Sequence, residues 1–185
     1  MISALTVGSY ATSVSVSTAK YAADAGLLTN VYFESSGLAT STTPSVVTAI
    51  TQPGTTGSTS LTKGSTDYLY SPSFGTARNV AAGTWIVEVW AATTSSTGTM
   101  TITIDTVNSG GTVQAMVGTG STTTVTTTKA EAKFSVAGSA VTIPASGYLR
   151  VSLYAPTGSG KPGFTVYWGK AQGTNFQVPM SVASS

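Results

Sequence analysis

Alternation with a period of two runs through most of this 185-residue chain and constrains its fold more than any motif does. In Gly83-Thr-Trp-Ile-Val-Glu-Val-Trp90, the side chains of Trp85, Val87 and Val89 share one face, while Ile86, Glu88 and Trp90 share the other. Met100, Ile102 and Ile104 alternate with threonines and Asp105. Ala132, Phe134 and Val136 repeat the pattern, as do Leu149, Val151 and Leu153, and then Phe164, Val166 and Trp168. Successive side chains of a strand point to opposite sides, so such alternation predicts half-buried strands, and β-branched residues suit a pleated surface. Turn-rich clusters separate the segments at Ser95–Gly98, Asn108–Gly111, Ala137–Ser139 and Gly158–Gly163. Short alternating strands at this spacing predict an all-β fold, an antiparallel β-sandwich of jelly-roll or immunoglobulin-like type.

One stretch departs from the pattern. Ser17-Thr-Ala-Lys-Tyr-Ala-Ala-Asp-Ala-Gly26 has a hydroxyl residue to cap a helix and a glycine just past its end, which predicts one short helical turn. Before it, Leu5 and Val7, then Val14 and Val16, alternate with small polar residues. The chain therefore divides into an N-terminal extended strand, residues 1–17, and a single sandwich domain, residues 18–185. A terminal strand with no hairpin partner in sequence must find a sheet edge, in its own domain or in a neighbour. Leu5, Val7, Tyr10, Val14 and Val16 are the candidate assembly residues on it.

Composition narrows the chemistry. Serine and threonine number 26 and 35, a third of the chain, whereas 8 basic and 6 acidic residues are its only charged side chains. With 41% hydrophobic residues this is not the profile of a disordered chain, which combines low hydrophobicity with high charge. The cations are spread from Lys20 to Lys170 and form no stripe to neutralise phosphates, so nucleic acid is not an expected partner. No apolar run approaches the roughly 18–20 residues that cross a bilayer as a helix, so no membrane span is expected. The first ten residues lack a basic region, an apolar region and a cleavage site, which leaves two readings open: use without export, or a mature form.

Histidine and cysteine are both absent. That removes Ser-His-Asp and Cys-His catalysis, imidazole and thiolate metal ligands, and disulfides. No cofactor and no metal are expected, and the chain is read as not an enzyme. Ser17-Thr-Ala-Lys20 and Ser60-Leu-Thr-Lys63 match the S-x-x-K of serine β-lactamases, but neither S-D-N nor K-T-G accompanies them. Gly158-Ser-Gly-Lys161 looks like the end of a P-loop, yet Ala155 replaces the first glycine and Pro162 stands where Ser or Thr must hold magnesium. It reads as a hairpin loop. If strands 83–92 and 99–107 paired across the Ser95–Gly98 turn, Glu88 and Asp105 would share an outward face. Such a pair is a glycosidase-type carboxylate dyad, half of a calcium site, or two solvated charges neutralised by Arg150 or a lysine. Trp90, Tyr148, Tyr154 and Tyr167 fall opposite the expected core and are either a sugar-binding platform or a second buried face.

Tyr68-Leu-Tyr-Ser-Pro-Ser73, Gly83–Trp90, Gly147-Tyr-Leu-Arg-Val-Ser-Leu-Tyr154 and Thr165-Val-Tyr-Trp168 together resemble the Thr/Ser-rich β-sandwich surface proteins of archaea and bacteria. Within that group the chain resembles the jelly-roll subunits of archaeal bundling pili and TasA-type biofilm fibres, over about two thirds of its length. The resemblance implies a structural subunit of an extracellular homopolymer, with identical subunits as partners and the segment Ile2–Ser17 as donor strand. A glycan or cell-surface contact is a further partner it admits. None of Asn30, Asn79, Asn108 or Asn175 lies in a glycosylation sequon. Two alternatives stay open beside the filament: a virion surface or decoration protein, and a carbohydrate-binding module or adhesin.

Overall fold

The structure, a computed structural model, describes residues 28–32, 38–44, 56–71, 73–121, 124–169 and 175–179. Within them the chain forms strands and no helix. The first four strands are β1 (Leu28–Tyr32), β2 (Thr56–Leu61), β3 (Thr66–Tyr70) and β4 (Arg78–Val80). The middle of the chain supplies β5 (Gly83–Thr93), β6 (Thr101–Val107), β7 (Val113–Ser121) and β8 (Ala130–Gly138). It ends with β9 (Val141–Ile143), β10 (Tyr148–Tyr154), β11 (Phe164–Gly169) and β12 (Asn175–Pro179). The all-β expectation holds: antiparallel sheets pack as a sandwich. The predicted helical turn at Ser17–Gly26 and the boundary at residue 17 lie outside the described residues.

The eleven-residue strand β5 organises the larger sheet. One of its edges pairs with β8 from Gly83 to Ala91. The other edge is shared end to end, with β12 against Ile86–Glu88 and β11 against Trp90–Thr93. Beyond these lie β1, paired to β12, and β2, paired to β11. The second sheet has the order β3-β10-β6-β7, and β4 and β9 form a short ribbon. Between the sheets, Trp85, Val87, Val89 and Ala91 of β5 meet Ile102, Ile104, Leu149, Val151 and Leu153 in one core, all with no measurable exposure. Phe134, Phe164, Val166 and Trp168 complete it. Each such side chain contributes about 1.5–3 kcal/mol of transfer free energy, so the alternating pattern is the main source of stability.

Along one side the two sheets approach closely enough to exclude side chains. A Cβ on Gly118 of β7 would lie 2.7 Å from the Ala137 carbonyl oxygen and 2.8 Å from Val136, so only glycine lets β7 lie against β8. The ladder between β6 and β7 shifts register at Ile104/Asp105 and again at Thr106/Val107. These irregularities turn Val117 inward and leave Met116 outward, 61% exposed.

One pairing expectation fails. β5 and β6 are not neighbours; they belong to different sheets, and the residues between them carry the chain across. Gly98 is held in that crossing by reciprocal backbone bonds with Val125, at 3.0 and 2.8 Å. Val89 and Ile104 do both face the core, but from opposite sides of it. Alternation assigns a face to each residue and says nothing about which strand lies beside it.

Candidate functional site

The segments singled out for chemistry now have positions. Because β5 and β6 separate, Glu88 and Asp105 lie on the outer faces of opposite sheets, and no carboxylate dyad exists between them. Each has found a cation instead. Glu88 sits opposite Lys133 in the β5–β8 ladder, and the Lys133 ammonium donates to its carboxylate at 2.9 Å. Asp105 sits opposite Arg150 in the β6–β10 ladder, and the Arg150 guanidinium donates to it at 2.8 Å. Neutralisation by Arg150 or a lysine was the expected alternative and both partners occur, but the charges were expected to be solvated and the Asp105 pair is buried.

The outer face of the four-stranded sheet is the more elaborate. Tyr70, Arg150, Asp105 and Met116 stand in one cross-strand row from β3 to β7. Tyr68 lies one step along the same face, with the Arg150 guanidinium 5.0 Å from its ring centre. Tyr148 meets Tyr70 edge-on at 6.2 Å. Residues 38–44 run across this side. Ala39 pairs with Tyr68 at the β3 edge through two backbone bonds, at 3.0 and 2.8 Å. The Tyr70 hydroxyl then donates to the Ser41 and Thr42 carbonyl oxygens at 3.2 and 2.7 Å. Thr42 lies against the β6–β7 turn, where Gly111 has φ 82° and a Cβ would overlap the Thr42 carbonyl. Ala39, Tyr70 and Val107 form a second, small apolar cluster, with Tyr68 and Tyr148 packed on it.

Under this cover the charges are dry. Arg150 is 7% exposed and Asp105 5%. Burial works against the charge on Arg150, but the Asp105 hydrogen bond and charge, aided by Tyr70, outweigh it and hold its pKa above the ordinary value. Burial raises the Tyr70 pKa, with the Arg150 hydrogen bond and charge opposing. The Arg150 Nε is buried with no hydrogen-bond partner.

The four aromatics do not form one platform. Trp90 and Tyr167 are cross-strand neighbours on the larger sheet, with the Lys129 ammonium 4.5 Å from the Tyr167 ring centre. Tyr148 and Tyr154 lie on the other sheet, at the two ends of β10. All four are half-buried. Ser60 is the penultimate residue of β2 and Lys63 occupies the turn after it, so the S-x-x-K match is a strand end and a turn that crosses from one sheet to the other. Gly158–Lys161 lies in the loop between β10 and β11, which belong to different sheets, so it is a crossing between the layers and not the hairpin expected. Ser17–Lys20 and the assembly residues Leu5, Val7, Tyr10, Val14 and Val16 lie outside the described residues. Among the described residues no group of three acids could hold a metal ion, and no helix is long and apolar enough to cross a membrane. The sequence offered Arg150 as a partner for these acids but not Tyr70, nor the row the three make; the one signal was that all three lie at outward positions of alternating strands.

No family model and no curated protein matches the sequence. Solved structures do match the fold. A CocE/NonD family hydrolase from Staphylococcus aureus superposes with a TM-score of 0.65 at 10% identity, covering 82% of this chain and 36% of that one. An aminopeptidase from a marine sediment Thaumarchaeota archaeon gives 0.60 at 10% identity, with the same two coverages. An alpha-amino acid ester hydrolase gives 0.57 at 9% identity, covering 83% of this chain and 36% of that one. The chain thus spans about a third of the length of the structures it matches, and at these identities the likeness is one of fold. It overturns the expectation of a pilus or biofilm-fibre subunit joined by donor-strand exchange: the sandwich is of a kind that hydrolases contain. The Ser/Thr-rich alternation behind that expectation is what any solvated antiparallel sandwich requires, and so it did not discriminate.

Proposed function

We propose that this chain is a non-catalytic β-sandwich module of the type that stands beside the catalytic part of a hydrolase. The observation that carries this reading is the coverage. More than four fifths of the chain superposes on about a third of each hydrolase, leaving most of each hydrolase unmatched. The residues of the chain agree with a supporting role. It has no histidine or cysteine to activate a nucleophile, and its acids Glu88 and Asp105 are each held by a cation. The module's contribution is then a rigid surface for packing or ligand capture, while hydrolysis belongs to a separate catalytic unit.

The test is turnover by the purified chain on aminoacyl p-nitroanilides and p-nitrophenyl esters. The expected rate is that of the protein-free blank. Turnover that Ser60→Ala or Glu88→Gln abolishes would show instead that the chain carries its own active site. Light scattering on the same sample is expected to show no growth into polymer.

A further inference from the structure

Two motifs that led to no catalytic site, Ser60-Leu-Thr-Lys63 and Gly158-Ser-Gly-Lys161, converge on one place. Lys63 in the β2–β3 turn and Lys161 in the β10–β11 loop both line a cleft of about 380 Å³ at one end of the sandwich. Ser60, Thr94 and Ser95 add hydroxyls to its wall, which Pro162 and Phe164 also line. No acidic residue lines it. Lys133 and Arg150 have carboxylate partners, but Lys63 and Lys161 have none among the described residues. Two lysines on one cleft that has no acid leave its positive charge without a counter-ion, and an anion bound there would be attracted to both.

We infer that this cleft is an anion site for a small ligand bearing a phosphoryl or sulfate group. Two compact ammonium charges with rotatable hydroxyls suit a tetrahedral dianion, whose oxygens accept several donors at once; a carboxylate is matched better by one arginine fork. The volume falls within the range of small-molecule pockets. The walls are already joined. Thr94 donates through its backbone N–H to the Gly163 carbonyl at 3.1 Å, and the Ser96 hydroxyl donates to the Gly160 carbonyl at 3.3 Å. Gly64 N–H donates to the Ala155 carbonyl at 2.8 Å, tying the third wall to the end of β10. A preformed cleft loses little conformational entropy on binding. The inference does not depend on the accessory-module reading.

The experiment is a titration of the isotopically labelled chain, followed by amide NMR, with glucose 6-phosphate, inorganic phosphate, sodium sulfate and glucose. Glucose 6-phosphate is expected to give saturable shifts confined to residues 60–63, 94–95 and 158–163. Phosphate and sulfate are expected to move the same amides more weakly, and glucose not at all. Lys63→Gln and Lys161→Gln are each expected to weaken binding by about tenfold, and added salt is expected to weaken it further. Both lysines are exposed, so the variants' spectra away from the cleft should be unchanged. Shifts that fail to saturate by about 10 mM ligand, that survive both substitutions, or that glucose reproduces would overturn the assignment.

Discussion

The outer faces of the two sheets each carry one cross-strand ion pair, alike in geometry and opposite in setting. Lys133–Glu88 on the larger sheet and Arg150–Asp105 on the smaller join directly opposed residues at 2.9 and 2.8 Å. The side chains of the first pair are 58% and 18% exposed, those of the second 8% and 7%. Distance therefore cannot rank them. Water screens the Lys133 pair and competes for its hydrogen bonds, so little of its attraction reaches the folding free energy. The Arg150 pair has lost water from both partners, and each ion now depends on the other. The difference was made by residues 38–44 and the tyrosines under them, which cover one outer face and dry it.

The sharpest way to break this comparison is to remove one buried partner. Arg150→Met leaves Asp105 enclosed without its cation and is expected to cost about 3–5 kcal/mol in urea unfolding. Adding Asp105→Leu to that variant is expected to recover most of the loss, because the penalty lies in the stranded charge rather than in a missing contact. A single-variant loss below about 1 kcal/mol would place both pairs in the same solvated class.

A second buried carboxylate separates pairing from burial. Asp67 of β3 is 4% exposed, accepts no hydrogen bond among the described residues, and burial raises its pKa above the ordinary 3.8. A raised folded-state pKa means that the fold prefers the protonated acid. The contribution is complete below the unfolded pKa and is lost as pH rises through the folded one. Asp67→Asn is therefore expected to match the parent in urea midpoint near pH 3 and to exceed it at neutral pH. Equal urea midpoints at both pH values would show that this carboxylate is solvated.

The smallest effect is expected at the exposed pair. Lys133 has its pKa raised by the Glu88 hydrogen bond and charge, so its contribution is present at neutral pH and disappears only as alkali removes the ammonium proton. Lys133→Ala should shift the neutral-pH urea midpoint barely beyond error, and added salt should erase even that. A shift comparable to that of Arg150→Met would mean that exposure does not decide the value of these pairs.

The faces of the strands were legible in the sequence by itself. Trp85, Val87, Ile102, Ile104, Val151 and Val166 were expected in one core and are all fully buried, because which side a residue takes follows from its own place in an alternating strand. The absence of histidine-based chemistry was equally readable, being a matter of inventory. Strand partners were not legible. β5 and β6 are adjacent in sequence and carry matching patterns, yet they lie across the core from one another, so the pairing of Glu88 with Asp105 failed. The same limit hid the row that Tyr70 completes with Arg150 and Asp105, drawn from three strands, and the shared cleft that Lys63 and Lys161 line from nearly a hundred residues apart. Side-chain direction is set by local backbone geometry, whereas neighbours, burial of a charge and the shape of a cleft depend on how distant segments pack. Only the tertiary structure decides those.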